Sequence, residues 1–280
     1  MVELNNITAQ DFKVEGARRK LLWFAQYMNP KFKPTPFHTA YYRILDMFAN
    51  GQIQNLIIQA PPQHGKSEGS SRNLPAKMLG MFPDKKIILC SYAATIAKDF
   101  NRDVQKIIDT PAYNAVYPET TLNGSNVVTV AANSLRNSDV FQIVGHSGEF
   151  RVVGRGGSLT SKTADVMIFD DLYKDSSEAN SPIIRAGAWD WYTKVARTRL
   201  HNDSQQLIVF TRWHPEDIIG KIIDNENVIV VERWADFENI PKGAWVLVNF
   251  EAIKTGNPTE IDPREKGVAL WESRHSVERL

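Results

Sequence analysis

The stretch NLIIQAPPQHGKS, residues 55–67, decides the fold of this 280-residue chain. Its first six residues form a β-branched, apolar run that predicts a buried strand. Ala60, Gly65, Lys66 and Ser67 then occupy the positions of a G-x-x-x-x-G-K-[ST] phosphate-binding loop, and a helix-like segment follows. Since such a loop joins a strand to a helix, the sequence predicts the α/β fold of a P-loop NTPase.

The loop supplies the three kinds of group that bind a nucleoside triphosphate. Backbone N–H groups surround the phosphates, the Lys66 ammonium neutralises β- and γ-oxygens, and the Ser67 hydroxyl binds Mg²⁺. ATP and Mg²⁺ are therefore the expected ligands. The residues expected to contact them here are Gln63, His64, Gly65, Lys66, Ser67 and Glu68. Ala60 replaces the first glycine of the motif, which is tolerable where that residue keeps strand-like dihedrals. The alternative is an ordinary turn that contains Gly-Lys-Ser.

Short β-branched runs alternate with longer, charged, helix-like stretches on both sides of this loop. The candidate strands are residues 55–60, 86–92, 126–130, 150–154, 165–170, 206–211 and 227–232. Helix-like segments at 67–82 and 94–109 follow the first two strands. This order predicts a central, mostly parallel sheet flanked by helices. An antiparallel pairing of 126–130 with 150–154 is the one expected exception.

The pattern thins after residue 235, where Pro and Gly recur in IPKGAW (240–245) and KTGNPTEIDPREKG (254–267). We therefore divide the chain into an ATPase domain, residues 1–235, and a small C-terminal lid or linker, residues 236–280.

Composition limits the partners and the compartment. The 33 basic and 32 acidic residues give a net charge of +1, which lends no support to a polyanionic partner. The single cysteine, Cys90, excludes an intramolecular disulfide and suits a reducing compartment. No stretch reaches the roughly 18 to 20 apolar residues of a membrane span, and the amino terminus lacks the apolar region of a signal peptide. We expect a cytoplasmic protein without membrane contact.

A second motif, DVMIFDDLYKD (165–175), ends an apolar run in paired acids. Asp170 would position Mg²⁺, and Asp171 would orient or deprotonate the attacking water. Alternatively, the two acids merely cap a following helix. The phosphate-binding loop upstream favours the catalytic interpretation.

Four segments resemble the large subunit of tailed-bacteriophage terminase in order and approximate spacing. They are APPQHGKSE (60–68), GRGGSLTSKTADVMIFDD (154–171), WDWYTKVARTRL (189–200) and VFTRWHPEDIIGKI (209–222). The resemblance covers roughly residues 35–275. It implies an ATPase domain of additional-strand (ASCE), RecA-like topology, which hydrolyses ATP to translocate double-stranded DNA into a procapsid.

The resemblance also implies partners: double-stranded DNA, a portal protein, a small terminase subunit and further copies of the chain in a ring. The ring is the expected state when the motor is assembled, and a near-neutral domain of this kind can be a monomer in isolation. The family joins this domain to a metal-dependent nuclease, and GVALWESRHSVERL (267–280) resembles the segment just before it. No later acidic cluster follows to hold two metal ions, so nuclease activity is not expected from this chain.

Further roles follow from the resemblance alone. The family commonly has glutamate where Asp171 stands. Thr211 would sense the γ-phosphate and Arg212 would transmit its state, although Pro215 also begins a helix there. Phe37 and His38, together with Tyr41, would border the base or else belong to the core.

The family also needs an arginine to stabilise the transferring phosphoryl group, and Pro62 and Gln63 stand where some relatives carry it. Arg155, delivered from a neighbouring subunit, is the first candidate to replace it. Arg199 and Arg212 are its rivals.

Three other functions remain open at this stage. SYAATIAKDF (91–100) also resembles a helicase motif, although a helicase needs a second RecA-like domain. A small-molecule kinase would share the phosphate chemistry but would leave the paired acids and the Thr-Arg-Trp-His segment unexplained. A nucleotide-binding module without catalysis would leave both acids without a role.

Overall fold

The computed structural model describes residues 8–123 and 135–280. Its strands are β1 (Asn55–Gln59), β2 (Lys86–Ser91), β3 (Val140–Gln142), β4 (Glu149–Gly154), β5 (Ala164–Asp170), β6 (Leu200–Phe210), β7 (Val228–Val230) and β8 (Trp245–Asn249). They form one sheet in the order β3-β4-β2-β5-β6-β1-β8-β7. The β3–β4 pair is antiparallel, and the other neighbouring pairs are parallel.

The position of β6 confirms the fold class. β6 lies between the strand that leads into the phosphate-binding loop, β1, and the strand that ends in the paired acids, β5. This inserted strand is the feature that the ASCE, RecA-like topology implies. Because all three strands are parallel, their carboxyl ends meet at one edge of the sheet, where α/β proteins bind ligands.

The α-helices of the described residues cover both faces of the sheet. They are α1 (Ala9–Arg19), α2 (Leu21–Met28), α3 (Pro36–Ala49), α4 (Lys66–Glu68), α5 (Leu74–Met81), α6 (Ala94–Ile108), α7 (Pro111–Val116), α8 (Ser176–Asn180), α9 (Pro182–Trp191) and α10 (Ile218–Asn225). A π-helical turn, Gly69–Asn73, joins α4 to α5, and a second, Tyr192–Ala196, follows α9.

Strand alternation divides the core into two layers. Leu56 and Ile58 of β1 point to the face covered by α2, α3, α5 and α6, whereas Ile57 points to the face covered by α9 and α10. The central strands are apolar on both faces, as buried parallel strands are. This double covering fixes the central strands, and with them the loops at their carboxyl ends.

Two further sequence predictions, the strand at 126–130 and the boundary at residue 235, can be compared with the structure. The candidate strand 126–130 lies outside the described residues, and β3 is the strand that pairs antiparallel with β4. β8 lies between β1 and β7, so the sheet takes in residues beyond 235. The division of the chain into 1–235 and 236–280 stays a prediction.

Among the helices of residues 8–123 and 135–280, none combines the length and the apolarity that a membrane crossing requires.

Candidate nucleotide site

Three polar segments converge at the carboxyl edge of the sheet. The phosphate-binding loop begins at Ala60, directly after β1; Asp170 ends β5 and is followed by Asp171; Thr211 follows β6. The backbone N–H of Ala60 donates to the carbonyl of Phe210, and that of Asp171 to the carbonyl of Val209. These bonds carry the strand ladder into the loops and hold the three segments side by side.

The phosphate-binding loop turns at two residues with left-handed backbone. Gly65 has φ +80°, and Gln63 has φ +61°. A Cβ at Gly65 would stand 3.2 Å from His38 Nε2, so both the dihedral angle and the space favour glycine there. Ala60 is not among the positive-φ residues of the described chain, and this agrees with the condition under which alanine can replace glycine.

The Lys66 side chain links the second and third segments. Its Nζ lies 2.7 Å from Asp171 Oδ2 and 2.8 Å from Thr211 Oγ1, and the side chain is only 5% exposed. The Lys66 carbonyl accepts hydrogen bonds from the Tyr41 hydroxyl (2.6 Å) and the Ser70 hydroxyl (2.9 Å). The lysine therefore has fixed partners at both its backbone and its ammonium.

Asp171 sits on strained backbone that neighbouring strands hold in place. Its φ is +42°, which is uncommon for a residue other than glycine. Its carbonyl accepts from the N–H of Tyr92, which follows β2, and its Oδ1 accepts from the N–H of Thr211, 3.0 Å in both cases. Strained backbone that persists under such restraint is characteristic of functional sites. The restraint presents the Asp171 carboxylate towards Lys66.

Asp170 is buried, and one of its carboxylate oxygens has a partner. Oδ2 accepts from the Ser71 hydroxyl, whereas Oδ1 is buried without a hydrogen-bond partner among the described residues. Burial first, and then the charge of Asp171, raise the pKa of Asp170 to about 6, while Lys66, Ser71 and Ser67 oppose the rise. A buried carboxylate oxygen without a donor is suited to a cation.

The protein thus offers only some of the ligands that Mg²⁺ needs, as expected where phosphates and water supply the others. Ser67 directly follows Lys66 in α4, and its hydroxyl is among the groups that lower the pKa of Asp170. Within the described residues, no cluster of three or more His, Cys, Asp or Glu side chains could hold a metal by itself. Protein Mg²⁺ sites commonly use one or two oxygen ligands and take the others from phosphates and water.

Ser71 is a site residue that the sequence did not reveal. It lies in the π-helical turn Gly69–Asn73 and is fully buried. A π turn holds one residue more than an α turn, and such turns are frequent at functional sites. The sequence signal is the polar pair Ser70-Ser71 just after the phosphate-binding loop, which does not by itself mark a metal-site residue.

The two aromatic residues expected at the base differ in their surroundings. Phe37 is buried in the core, 5.6 Å from Tyr41 and 5.0 Å from Phe250 between ring centres. His38 faces the loop: the Thr35 N–H donates to its Nδ1, so its Nε2 carries the proton and points towards Gly65. Burial lowers the pKa of His38 to about 4, so the ring is neutral at neutral pH.

The remaining loop residues expected at the nucleotide lie on either side of Gly65. Gln63 is exposed and His64 is buried, with its Nδ1 2.8 Å from the Pro62 carbonyl. Glu68 is exposed, and its carboxylate accepts from Asn73.

The three candidate arginines are each engaged within their own chain. Arg155 donates to the Leu172 carbonyl (2.6 Å) and to Glu178 (3.0 Å). Arg212 Nε lies 2.9 Å from the buried Asp217, and Arg199 donates to Thr198. Among the three, Arg155 is bonded to the residue that directly follows Asp171.

Comparison with known proteins gives one family match. The family model described as "Terminase large subunit, T4likevirus-type, N-terminal" matches residues 57–272. No curated protein sequence matches the chain.

The solved structures that match the chain include two large terminases. The HK97 bacteriophage large terminase is 13% identical with a TM-score of 0.46, and the match covers 90% of this chain and 46% of that one. The Thermus phage P74-26 large terminase ATPase domain, solved as a point mutant, is 13% identical with a TM-score of 0.47, covering 88% of this chain and 86% of that one. The chain thus spans less than half the length of the HK97 protein.

Proposed function

Because this chain belongs to the T4-like-virus type of terminase large subunits, as an N-terminal part, we propose that it is the ATP-hydrolysing motor of a viral DNA-packaging enzyme. The observation that carries the proposal is the convergence of Lys66, Asp171 and Thr211 at the carboxyl edge of the sheet. Lys66 supplies a cation for the phosphates, and Asp171 supplies a carboxylate for the attacking water. Thr211 supplies a hydroxyl that contacts the Lys66 ammonium.

The first step is an exchange of partners at Lys66. Its ammonium contacts Asp171 and Thr211, and the oxygens of an incoming γ-phosphate would compete for it. Loss of the ion pair would release Asp171 Oδ2 to accept a proton from the attacking water, while the Thr211 N–H continues to hold Oδ1. Nucleotide binding and preparation of the base are thereby one event.

Asp170 and Ser67 are the residues that would hold Mg²⁺, with Ser71 fixing the orientation of the Asp170 carboxylate. When bound, the ion neutralises charge on the β- and γ-phosphate oxygens. Gln63, His64, Gly65 and Glu68 would line the phosphates, and His38 would face the base side of the loop. Phe37 lies in the core beside Tyr41, and its ring contact with His38 would hold the His38 ring in position.

To generate force, the motor must transmit the presence or absence of the γ-phosphate from the nucleotide site to the rest of the assembly. Thr211 touches Lys66 and lies at the end of β6, and Arg212 beside it is paired with Asp217, the N-cap of α10. We propose this route from Thr211 through Arg212 to α10 for transmission. Arg155 of a neighbouring subunit is the proposed arginine at the phosphates, and its pair with Glu178 would have to open first.

The family supports double-stranded DNA as the translocated substrate, a portal protein and a small terminase subunit as partners, and a ring of copies as the working assembly. The motor would act in the cytoplasm of an infected host cell.

ATP turnover of the full chain beside Lys66→Ala tests the proposal, measured across protein concentrations with and without double-stranded DNA. We expect turnover that depends on Lys66, rises with concentration and is stimulated by DNA. Lys242→Ala, an exposed lysine far along the chain, is the matched control. Turnover of Lys66→Ala at the wild-type rate, or no ATP binding by the wild type, would contradict the proposal.

A further inference from the structure

The C-terminal segment Trp271–His275 packs against the phosphate-binding loop. His275 Nε2 lies 3.2 Å from the carbonyl oxygen of Gln63, across 212 residues of chain, and the residue is 7% exposed. A carbonyl oxygen only accepts, so His275 Nε2 must carry the proton and donate it. The loop thus receives a hydrogen bond from a segment that follows the last strand of the sheet.

Ring contacts hold this segment in place. The His275 ring centre is 4.5 Å from that of His64, and the Trp271 ring centre is 4.6 Å from that of His38. The preceding Leu270 is buried and donates its N–H to the carbonyl of Ala252, which follows β8. The segment is therefore attached both to the loop and to the end of the sheet.

A second imidazole acts on the adjacent peptide of the loop. His64 Nδ1 lies 2.8 Å from the Pro62 carbonyl, and by the same reasoning it is the donor. Two consecutive carbonyls, those of Pro62 and Gln63, are thus fixed by two imidazoles that contact each other with a tilt of 32° between their planes.

Fixing a carbonyl also fixes an amide. In a planar trans peptide the C=O of one residue and the N–H of the next point in opposite directions. With the Gln63 carbonyl bonded to His275, the His64 N–H points away from His275; the Pro62 carbonyl, bonded to the His64 ring, fixes the Gln63 N–H in the same way. Inward N–H groups are what phosphate binding by such a loop requires.

The backbone at Gln63 needs this support. Its φ of +61° belongs to the left-handed region, which is unfavourable for a residue other than glycine. An unsupported Gln63 would relax towards negative φ and rotate the adjoining peptides. The bond from His275 opposes that rotation.

We propose, on the basis of the function above, that His275 is a positioning residue for phosphate binding, which acts by holding the Gln63–His64 peptide with its N–H directed at the nucleotide. The segment after the sheet is then part of the nucleotide site. His275 itself does not touch the substrate.

The test uses the full chain with His275→Phe, which keeps the ring contact but loses the donor, and His275→Gln, whose amide can donate from nearly the same position. Binding of a fluorescent ATP analogue, KM and kcat for ATP, and the free energy of unfolding are measured for each. We expect His275→Phe to weaken analogue binding and raise KM about tenfold, because the misdirected His64 N–H would lose its hydrogen bond to the charged phosphate, with kcat changed less than about twofold. His275→Gln should recover most of the affinity.

Glu272→Gln, an exposed change in the same segment, is the matched control. Wild-type KM in His275→Phe, or equal losses in the Phe and Gln variants, would overturn the inference and leave the proposed function intact. Should His275→Phe fail to fold, His275→Asn, whose shorter amide cannot reach the carbonyl, replaces it in the same comparison. A wild-type chain that neither binds nor hydrolyses ATP would instead refute the proposed function itself.

Discussion

The Lys66 ammonium lies 2.7 Å from the Asp171 carboxylate, so the group proposed to bind the γ-phosphate neutralises the group proposed to activate water. The two are 105 residues apart in the sequence. The proposed roles therefore imply that the carboxylate stays paired until a phosphate takes over the lysine, and that the base becomes free only when nucleotide is bound.

Asp171→Asn should therefore separate binding from turnover. We expect ATP binding to be retained or tightened, because the phosphates no longer compete with a carboxylate for Lys66, while turnover falls by about 10² to 10⁴. Equilibrium binding of ATP and steady-state hydrolysis give both quantities. Asp203→Asn, at an exposed position on the opposite end of β6, serves as the control. Loss of binding in parallel with turnover would assign Asp171 a folding role.

Ser71→Ala should change the response to Mg²⁺. Without the Ser71 hydroxyl, Asp170 loses its one side-chain donor at Oδ2 and is free to rotate. We expect the Mg²⁺ concentration for half-maximal turnover, and for half-maximal binding of a non-hydrolysable ATP analogue, to rise about tenfold, the range seen for groups that orient metal ligands. Ser70→Ala removes the neighbouring hydroxyl, which donates to the Lys66 carbonyl instead. An equal Mg²⁺ response in the two variants would count against a specific role for Ser71.

Arg155→Ala tests the source of the phosphate-binding arginine. If Arg155 leaves Glu178 to act at a neighbouring subunit, Arg155→Ala should lose roughly 10³-fold in turnover at concentrations where the chain assembles, while ATP binding persists. Glu178→Gln, which weakens the same ion pair from the other side, should retain turnover. Normal turnover in Arg155→Ala, or the same loss in both variants, would show that the pair only stabilises the fold.

The buried His38 should make stability depend on pH. Its pKa is lowered from 6.5 to about 4 by burial, so between those values the unfolded chain binds more protons than the folded one. The stability that neutral His38 provides is fully present above pH 6.5 and is lost as the pH falls to 4, by roughly 3 kcal/mol. Denaturant unfolding of the wild type and His38→Gln across this range measures the effect. His38→Gln should show a smaller loss on acidification; parallel curves for the two proteins would refute it.

The sequence predicts the parts of the site whose residue types are demanded by chemistry. Gly65, Lys66 and Ser67 after one apolar strand, and Asp170 and Asp171 after another, leave few alternatives, and the structure brings both sets to one edge of the sheet. Strand β6 is also recognisable as a strand, but its insertion between β1 and β5 followed from the family resemblance. Pairing order depends on long-range packing, which local pattern does not contain.

Other parts could not be predicted for identifiable physical reasons. The run WVLVN, residues 245–249, is only five residues long between Pro- and Gly-bearing segments, and its place in the sheet depends on β1 and β7 on either side. The His275–Gln63 contact spans too much chain for any local pattern to indicate it. Ser71 reaches Asp170 because of a π-helical turn, and no residue type marks such a turn.

That turn, Gly69–Asn73, also restricts how the protein can change in evolution. Each residue in an α-helix advances the direction of its side chain by about 100°, and a π turn absorbs one additional residue. Deleting a single residue there would restore regular α-helix and leave α5 in its present direction, but it would turn the side chains of the shortened segment away from their partners. The apolar face of α5 would be kept, and the bond from Ser71 to Asp170 would be lost. The length of the segment from Lys66 to Met81 should therefore be held constant among functional relatives.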